Sequence, residues 1–356
     1  MTEPTGPEFD GPDEMGRDIA GSAPALEATL AGIEALRPSF DELRRAVSGV
    51  VLVGTGMSLA VALALAPAWR RAMKPRGRRL IVRESTAAAF GSDDGLTWSG
   101  DELVVAISKS GTSPETVAAA RLAAEAGAMV VAVTAETDSP LARGAALVAA
   151  TPIGEEAGAG TRSATAALGA LLGLCGALDS SRASREAAAA AIQATTEAWP
   201  EAQKMGPDLA AAPRTWIAGF GSGIGLAQGA AILWHEKAHR QAVGLSVSEF
   251  RHGPVEASRP GDALIVVDPD EPVAARTAYL ARLRGEAADL GLTTVWLAAE
   301  PAGTAPIRLR SGSGPEAVLE ALIRLQQLAR ATALSAGDYR DGFAILRSVV
   351  QPVPDL

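Results

Sequence analysis

All three histidines of the 356-residue chain fall in one 18-residue window, in Trp234-His235-Glu236-Lys237-Ala238-His239 and in Glu249-Phe250-Arg251-His252-Gly253-Pro254. The first part spells HExxH. In zinc peptidases two histidines one helical turn apart hold the metal, and the glutamate between them activates a water. Here His235 and His239 would be the ligands and His252 or Glu256 a third. The same Glu236 could instead work without metal, as a base that lifts and returns a proton, if partial burial raises its pKa toward neutrality. Taken singly, these residues also fit a surface glutamate on an exposed helix and a histidine capping a Gly-Pro turn.

A second cluster carries hydroxyls. Ile107-Ser108-Lys109-Ser110-Gly111-Thr112-Ser113-Pro114-Glu115-Thr116 places five Ser and Thr residues between an expected strand and an expected helix. Helix capping, with Ser113 as N-cap and Pro114 at the first helical position, explains one of the five. Hydroxyls and free backbone N–H groups at a helix N-terminus, past the carboxyl end of a parallel strand, form an anion site suited to a phosphate. Lys109 would add a full charge. Gly54-Thr-Gly56-Met-Ser58 begins like a dinucleotide fingerprint, and Glu84 could imitate its ribose-binding acid. However, the third glycine falls at Leu59, and at Ile224 in the similar Gly219-Phe-Gly221-Ser-Gly223, so no nucleotide cofactor is expected.

The elements that must position these residues follow from the hydropathy pattern. Short β-branched runs alternate with alanine-rich stretches carrying charge at helical spacing, the pattern of a mostly parallel α/β sheet. Strands are expected at 50–53, 80–83, 103–107, 129–133 and 147–149, and again at 215–218, 263–267, 293–297 and 307–309, with a helix at 115–126. The glycine echo between positions 54 and 219 suggests two copies of one unit, joined by a helical segment at 184–202. The expected divisions are a tail at 1–22, a first domain at 23–190 including a helix at 23–46, a second domain at 191–337 and a tail at 338–356.

Composition narrows the function classes. A net charge of −9 with 48% hydrophobic residues describes a folded chain without the basic surface that nucleic acid or anionic lipid needs. The single cysteine excludes an intramolecular disulfide or a multi-thiolate metal site. The first 22 residues show no signal-peptide pattern, and the longest uncharged apolar stretch, 163–178, is too short to span a bilayer. It reads as a buried helix holding Cys175, and the expected location is cytoplasmic.

Three of these segments together resemble the SIS (sugar isomerase) domain family in its tandem form, as in the isomerase half of glucosamine-6-phosphate synthase and related deaminases, isomerases and deglycases. Gly54–Ser58 resembles the family's first loop, Ser108–Ser113 its phosphate loop, and Glu249–Pro254 its Glu-Leu-Lys-His-Gly-Pro box. The segment Gly154-Glu-Glu156 to Thr161-Arg162-Ser163 resembles the stretch that closes over the sugar. The resemblance implies two doubly wound, flavodoxin-like α/β/α domains in tandem.

It further implies that Ser58, Ser108, Lys109, Ser110 and Ser113 hold a 6-phosphate, while Gly56, Met57, Thr161, Arg162 and Ser163 line the sugar. The family's catalytic glutamate precedes the His-Gly-Pro histidine by 16 residues, which here is Glu236. It would shuttle a proton between C1 and C2 of an open-chain sugar phosphate, with His252 assisting ring opening and Arg347 standing for a tail lysine. The resemblance also implies no metal or cofactor, a small-molecule sugar phosphate as partner, and a homodimer with shared active sites.

Some positions depart from the family. Met57 and Lys109 replace a Thr and a Gln, a helix lysine falls on Leu233, and Arg347 is poorly suited to imine chemistry. No glutamine-hydrolysing domain is recognisable, so glutamine-dependent synthesis is not expected. The expected activity is deamination of an amino-hexose 6-phosphate to fructose 6-phosphate and ammonia. A fructosamine-6-phosphate deglycase is the nearest alternative, followed by a non-catalytic sugar-phosphate sensor and by a zinc hydrolase. Glu155, Glu156 and Arg162 are the expected specificity residues.

Overall fold

The computed structural model describes residues 13–90, 98–156, 158–298 and 306–345. Ten strands are present among them: β1 (Gly49–Gly54), β2 (Arg79–Glu84), β3 (Glu102–Ile107), β4 (Met129–Thr134), β5 (Leu147–Ala150), β6 (Thr215–Gly219), β7 (Ala242–Ser246), β8 (Ala263–Asp268), β9 (Thr293–Ala298) and β10 (Pro306–Arg308). Between them the chain forms α1 (Glu14–Ala20), α2 (Ser22–Ala46), α3 (Met57–Met73), α4 (Ser85–Phe90), α5 (Pro114–Glu125), α6 (Pro140–Arg143), α7 (Arg162–Cys175), α8 (Arg182–Glu197), α9 (Trp199–Gln203), α10 (Gly206–Ala211), α11 (Ser222–Leu233), α12 (Val247–Arg251), α13 (Ala274–Asp289) and α14 (Pro315–Ala336).

The strands form two wholly parallel five-stranded sheets, ordered β2-β1-β3-β4-β5 and β10-β9-β8-β6-β7. Read from the other edge, the second sheet repeats the order of the first. It is the 2-1-3-4-5 order of flavodoxin-like folds, whose switch point lies between the first and third strands. Such strands are covered on both faces and therefore read as continuous apolar runs. Every residue of β1, β3, β6 and β8 is buried. In the first sheet Val51, Val104 and Val130 pack with Ala119 and Ala123 of α5, whose small side chains let the helix lie close. In the second sheet Trp216, Phe250, Leu264 and Trp296 do the filling, with the Trp216 and Phe250 rings 5.8 Å apart.

The chain forms two compact units. One comprises Ser22–Gly154 and Arg162–Ala190; the other comprises residues 13–21, Glu155–Thr161 and Ala191–Ile345. Several elements differ from the sequence expectations. The supposed N-terminal tail contains α1, whose N-cap Asp13 accepts from the Gly16 N–H at 2.8 Å. Residues 155–161, expected within the first domain, belong to the second unit. The expected connection at 184–202 is two helices, broken at Ala198 before Pro200. β7 was not expected, and the last strand runs over 306–308 rather than 307–309. No helix among the described residues is long and apolar enough to cross a membrane. Cys175 is buried at the end of α7, where burial pushes its thiol up to about 11 and leaves it inert.

Candidate functional site

Two helix N-termini open at the carboxyl edge of the first sheet, one after β1 and one after β3, flanking its switch point. Gly56 is the N-cap of α3 with φ 54° and ψ −125°, a backbone that suits only glycine, and Met57 and Ser58 are the first residues of the helix. Beyond β3, Ser108 is buried and Lys109 exposed, with Ser110 and Ser113 half-buried. The loop is braced from β4: the Ala135 N–H and the Thr134 hydroxyl both donate to the Lys109 carbonyl, at 3.0 and 3.1 Å.

Ser113 occupies the N-cap position of α5 but makes no capping bond through its side chain, which corrects the ordinary capping reading. Its hydroxyl lies 3.1 Å from that of Ser108, which accepts from the Gly111 N–H. The Ser110 hydroxyl accepts from Thr112 N and Thr112 Oγ1, at 3.2 and 2.8 Å. The hydroxyls thus hold the loop's shape while the opening of α5 keeps its first N–H groups uncapped by a side chain. That arrangement suits an anion.

The expected sugar-closing residues divide. Arg162 donates to the Ile153 carbonyl at 2.6 Å, and Ser163 is buried in the first turn of α7. Thr161 is buried in the other unit, where Glu156 Oε1 accepts from its N–H at 3.1 Å and its carbonyl accepts from Gln326 at 2.9 Å. Arg347 lies outside the described residues.

The second unit carries the titratable cluster. At the end of α11 the chain widens into a π turn, Trp234–Ala238, closed by His239 with φ 49°. π turns recur at functional sites. Glu236 sits in the middle of this one and makes no hydrogen bond among the described residues. Burial pushes its carboxyl up to about 7, with the neighbouring Lys237 charge pulling the other way. A carboxyl there can both take and give a proton near neutral pH.

The π turn also dissolves the HExxH geometry. His235 Nε2 lies 2.9 Å from the Ala242 carbonyl oxygen, tied to β7, and His239 has left the helix. No group of three or more His, Cys, Asp or Glu that could hold a metal ion occurs among the described residues. His252 is exposed at the C-cap of α12, a short helix fixed by a capping box between Ser246 and Glu249.

The second unit's own switch point is filled from within. Gly221 opens α11 with φ 50° and ψ −115°, close to Gly56, and Asp270 from the loop after β8 accepts from Ser222 N and Ser222 Oγ, both at 2.8 Å. Beside it Asp268, raised to about 6 by burial against the opposing charge of Arg276, pairs with that arginine at 2.9 Å. Two features escaped sequence reasoning: the π turn, and the burial of Lys237 next to Glu236. Neither has a sequence signal, since Lys237 stands among the polar residues His235, Glu236 and His239.

Comparison with known proteins gives three findings. The family model described as SIS domain matches residues 43–175, covering the first sheet and its loops. The isomerizing glutamine–fructose-6-phosphate aminotransferase of Corynebacterium glutamicum is 34% identical over 184 residues, 47% of this chain and 29% of that protein's length. The chain therefore matches under a third of that relative. Among solved structures, the C-terminal domain of glucosamine-fructose-6-phosphate aminotransferase from Francisella tularensis aligns with TM-score 0.81 at 19% identity, covering 94% of this chain and 99% of that one. Glucosamine-6-phosphate deaminase from Thermotoga maritima aligns with TM-score 0.72 at 20% identity, covering 94% and 98%. At these identities the structural likenesses establish the fold.

Proposed function

We propose that the chain, whose residues 43–175 match the SIS domain model and which is 34% identical over 184 residues to the aminotransferase, is a phosphosugar isomerase that acts on an amino-hexose 6-phosphate and releases ammonia and fructose 6-phosphate. The observation that carries this reading is Glu236, a half-buried carboxyl raised to about 7 that makes no hydrogen bond among the described residues. The reading takes the second unit as a second SIS domain, on the strength of its matching strand order and matching Gly56 and Gly221 backbones.

In the proposed chemistry the 6-phosphate binds at the opening of α5 and α3, held by Ser58, Ser108, Lys109, Ser110 and Ser113. His252 helps open the sugar ring by proton transfer at the ring oxygen. Glu236 takes the C2 proton of the open-chain aldehyde, giving an enolamine, and returns a proton to C1. The resulting 2-imine adds water at C2 and expels ammonia, leaving the ketone of fructose 6-phosphate. Every proton step needs a group that is half ionised near pH 7, and an ordinary glutamate at 4.5 is a weaker acid–base partner for it. Gly56, Met57, Thr161, Arg162 and Ser163 are the proposed sugar-side residues, and a homodimer is part of the proposal.

The test is release of ammonia and fructose 6-phosphate from glucosamine 6-phosphate with chelator present. Release by the wild type and none by Glu236→Gln supports the reading. Thermal stabilisation by the sugar phosphate without release would remove the deaminase step.

A further inference from the structure

Lys237 is 1% exposed, and among the described residues no carboxylate oxygen comes within ion-pair distance of its ammonium, Glu14 being the carboxylate beside it. Its ammonium donates to the Gly342 carbonyl at 2.8 Å and reaches that of Arg340 at 3.4 Å, with the Tyr339 and Phe343 rings 5.8 and 5.7 Å away. Burying an ammonium is expensive, and the two carbonyls, the ring faces and the nearby Glu14 carboxylate, which flanks the same Gly158 position, offset part of that cost.

The segment that receives it is itself pinned. The Gly342 N–H donates to Glu14 Oε2 at 2.6 Å, and the Tyr339 hydroxyl donates to Asp341 Oδ1 at 3.0 Å while accepting from Met15 N at 3.1 Å. Asp341 also accepts from Glu14 N at 2.9 Å. Below this, Arg330 clamps Asp13 with two bonds from Nε, at 2.8 and 2.9 Å, and lies 4.2 Å from the Trp199 ring. α1 and residues 339–343 therefore make one fixed seat for the lysine.

The seat lies against the π turn. His239, which closes it, is the one non-glycine residue with positive φ among the described residues. Such a backbone costs about 1–2 kcal/mol and persists only where surrounding bonds over-determine it. His235 anchors the turn on one side through Ala242; Lys237 anchors it on the other.

We propose that Lys237 is a positioning residue for Glu236: its buried ammonium, bound to the carbonyls of residues 340 and 342, locks the π turn in the register that presents the carboxylate. The proposal rests on the reading of Glu236 as proton carrier. The charged and titratable groups around the lysine are Glu14 from α1, Tyr339 and Asp341 from the C-terminal segment, and Glu236 and His235 on the turn itself. Glu14 Oε1 and Lys237 Nζ come within 2.2 and 2.7 Å of where a Cβ on Gly158 would stand, so a side chain at that position would wedge into the seat. Lys237 also opposes the burial that raises the Glu236 carboxyl, so removing its charge moves that carboxyl further up.

The experiment is Lys237→Met beside wild type, followed by kcat, KM and the pH profile on glucosamine 6-phosphate. The expected result is a kcat at least tenfold lower, KM within about twofold, and an acidic limb of kcat displaced upward by about half a pH unit or more. A folded variant with wild-type kcat and an unmoved limb overturns the proposal. Should that variant fail to fold, Glu14→Gln weakens the bond that fixes the Gly342 peptide while leaving the lysine in place. A two- to fivefold loss of kcat at unchanged KM supports the proposal, and wild-type kcat refutes it.

A readout without turnover separates this idea from the one it rests on. The melting-temperature difference made by Glu236→Gln, followed from pH 4.5 to 8, reports the titration of the carboxyl directly. If the wild type turns over no hexosamine 6-phosphate, the deaminase reading fails. A titration midpoint displaced by Lys237→Met then still supports the coupling of the two residues, and an unmoved midpoint removes it.

Discussion

Gly56 and Gly221 open their helices with nearly the same backbone, yet one helix meets a loop of hydroxyls and the other a carboxylate. The loops that make this difference leave equivalent strands. Two residues past the end of β3 stands Lys109; two residues past the end of β8 stands Asp270. The Asp270 carboxylate takes the Ser222 N–H and hydroxyl, an internal anion in the position where a phosphate would be held. In the first unit the same architecture keeps Ser108, Ser110 and Ser113 at the helix opening and a cation on the loop. One backbone plan therefore yields a helix opening that suits an anion in one unit and an opening occupied by its own carboxylate in the other. The second unit carries instead the raised carboxyl of Glu236, the proposed proton carrier.

This division of labour predicts that changes in the two units separate binding from turnover. The largest effect is Glu236→Gln, which should lower kcat by about 10²–10⁴-fold while thermal stabilisation by the sugar phosphate persists. Equal loss of both would break the division. The same substitution should show a pH-dependent stability difference with a definite sign. Because burial raises the folded-state carboxyl from 4.5 to about 7, its favourable contribution is complete below pH 4.5 and lost as pH rises through 7. The wild type should thus lose up to about 3 kcal/mol relative to Glu236→Gln across that window, readable by denaturant titration at pH 4.5 and 8; a flat difference would contradict the burial.

Asp270→Ala should come next. It leaves the Ser222 N–H and hydroxyl without their acceptor and should cost about 1–3 kcal/mol of stability, leaving the sugar-phosphate affinity unchanged. A simultaneous loss of that affinity would show that the two switch points are not independent. The smallest effect is Ser110→Ala, expected to weaken sugar-phosphate binding about tenfold with stability nearly unchanged, as measured by calorimetric titration.

Much of this arrangement is legible in the sequence because parallel strands buried on both faces spell themselves out as apolar runs, Val50–Val53 and Ala263–Val267 among them. β7 is not legible for the same reason. It is an edge strand whose run Ala-Val-Gly-Leu-Ser is broken by Gly244 and leaves Val243 46% exposed. The hydroxyl loop is visible as a cluster, but the use of each hydroxyl is not: Ser113 has the right type and place for a cap and bonds Ser108 instead. Trp234-His-Glu-Lys-Ala reads as ordinary helix, since a π turn inserts one residue without changing composition. Periodicity therefore suggested a pair of zinc-ligand histidines that the backbone does not form. Lys237 is hardest of all, because its burial depends on residues 340 and 342, more than a hundred positions away.

Glu236 is proposed to move a proton at C1 and C2 of a sugar phosphate, and solvent exchange tests this with no dependence on the amine. Fructose 6-phosphate incubated with the protein in deuterium oxide, followed by proton NMR, should exchange one hydrogen at C1 with the wild type and none with Glu236→Gln. Exchange that survives the substitution, or ammonia release from glucosamine 6-phosphate by a wild type that exchanges nothing, would contradict it.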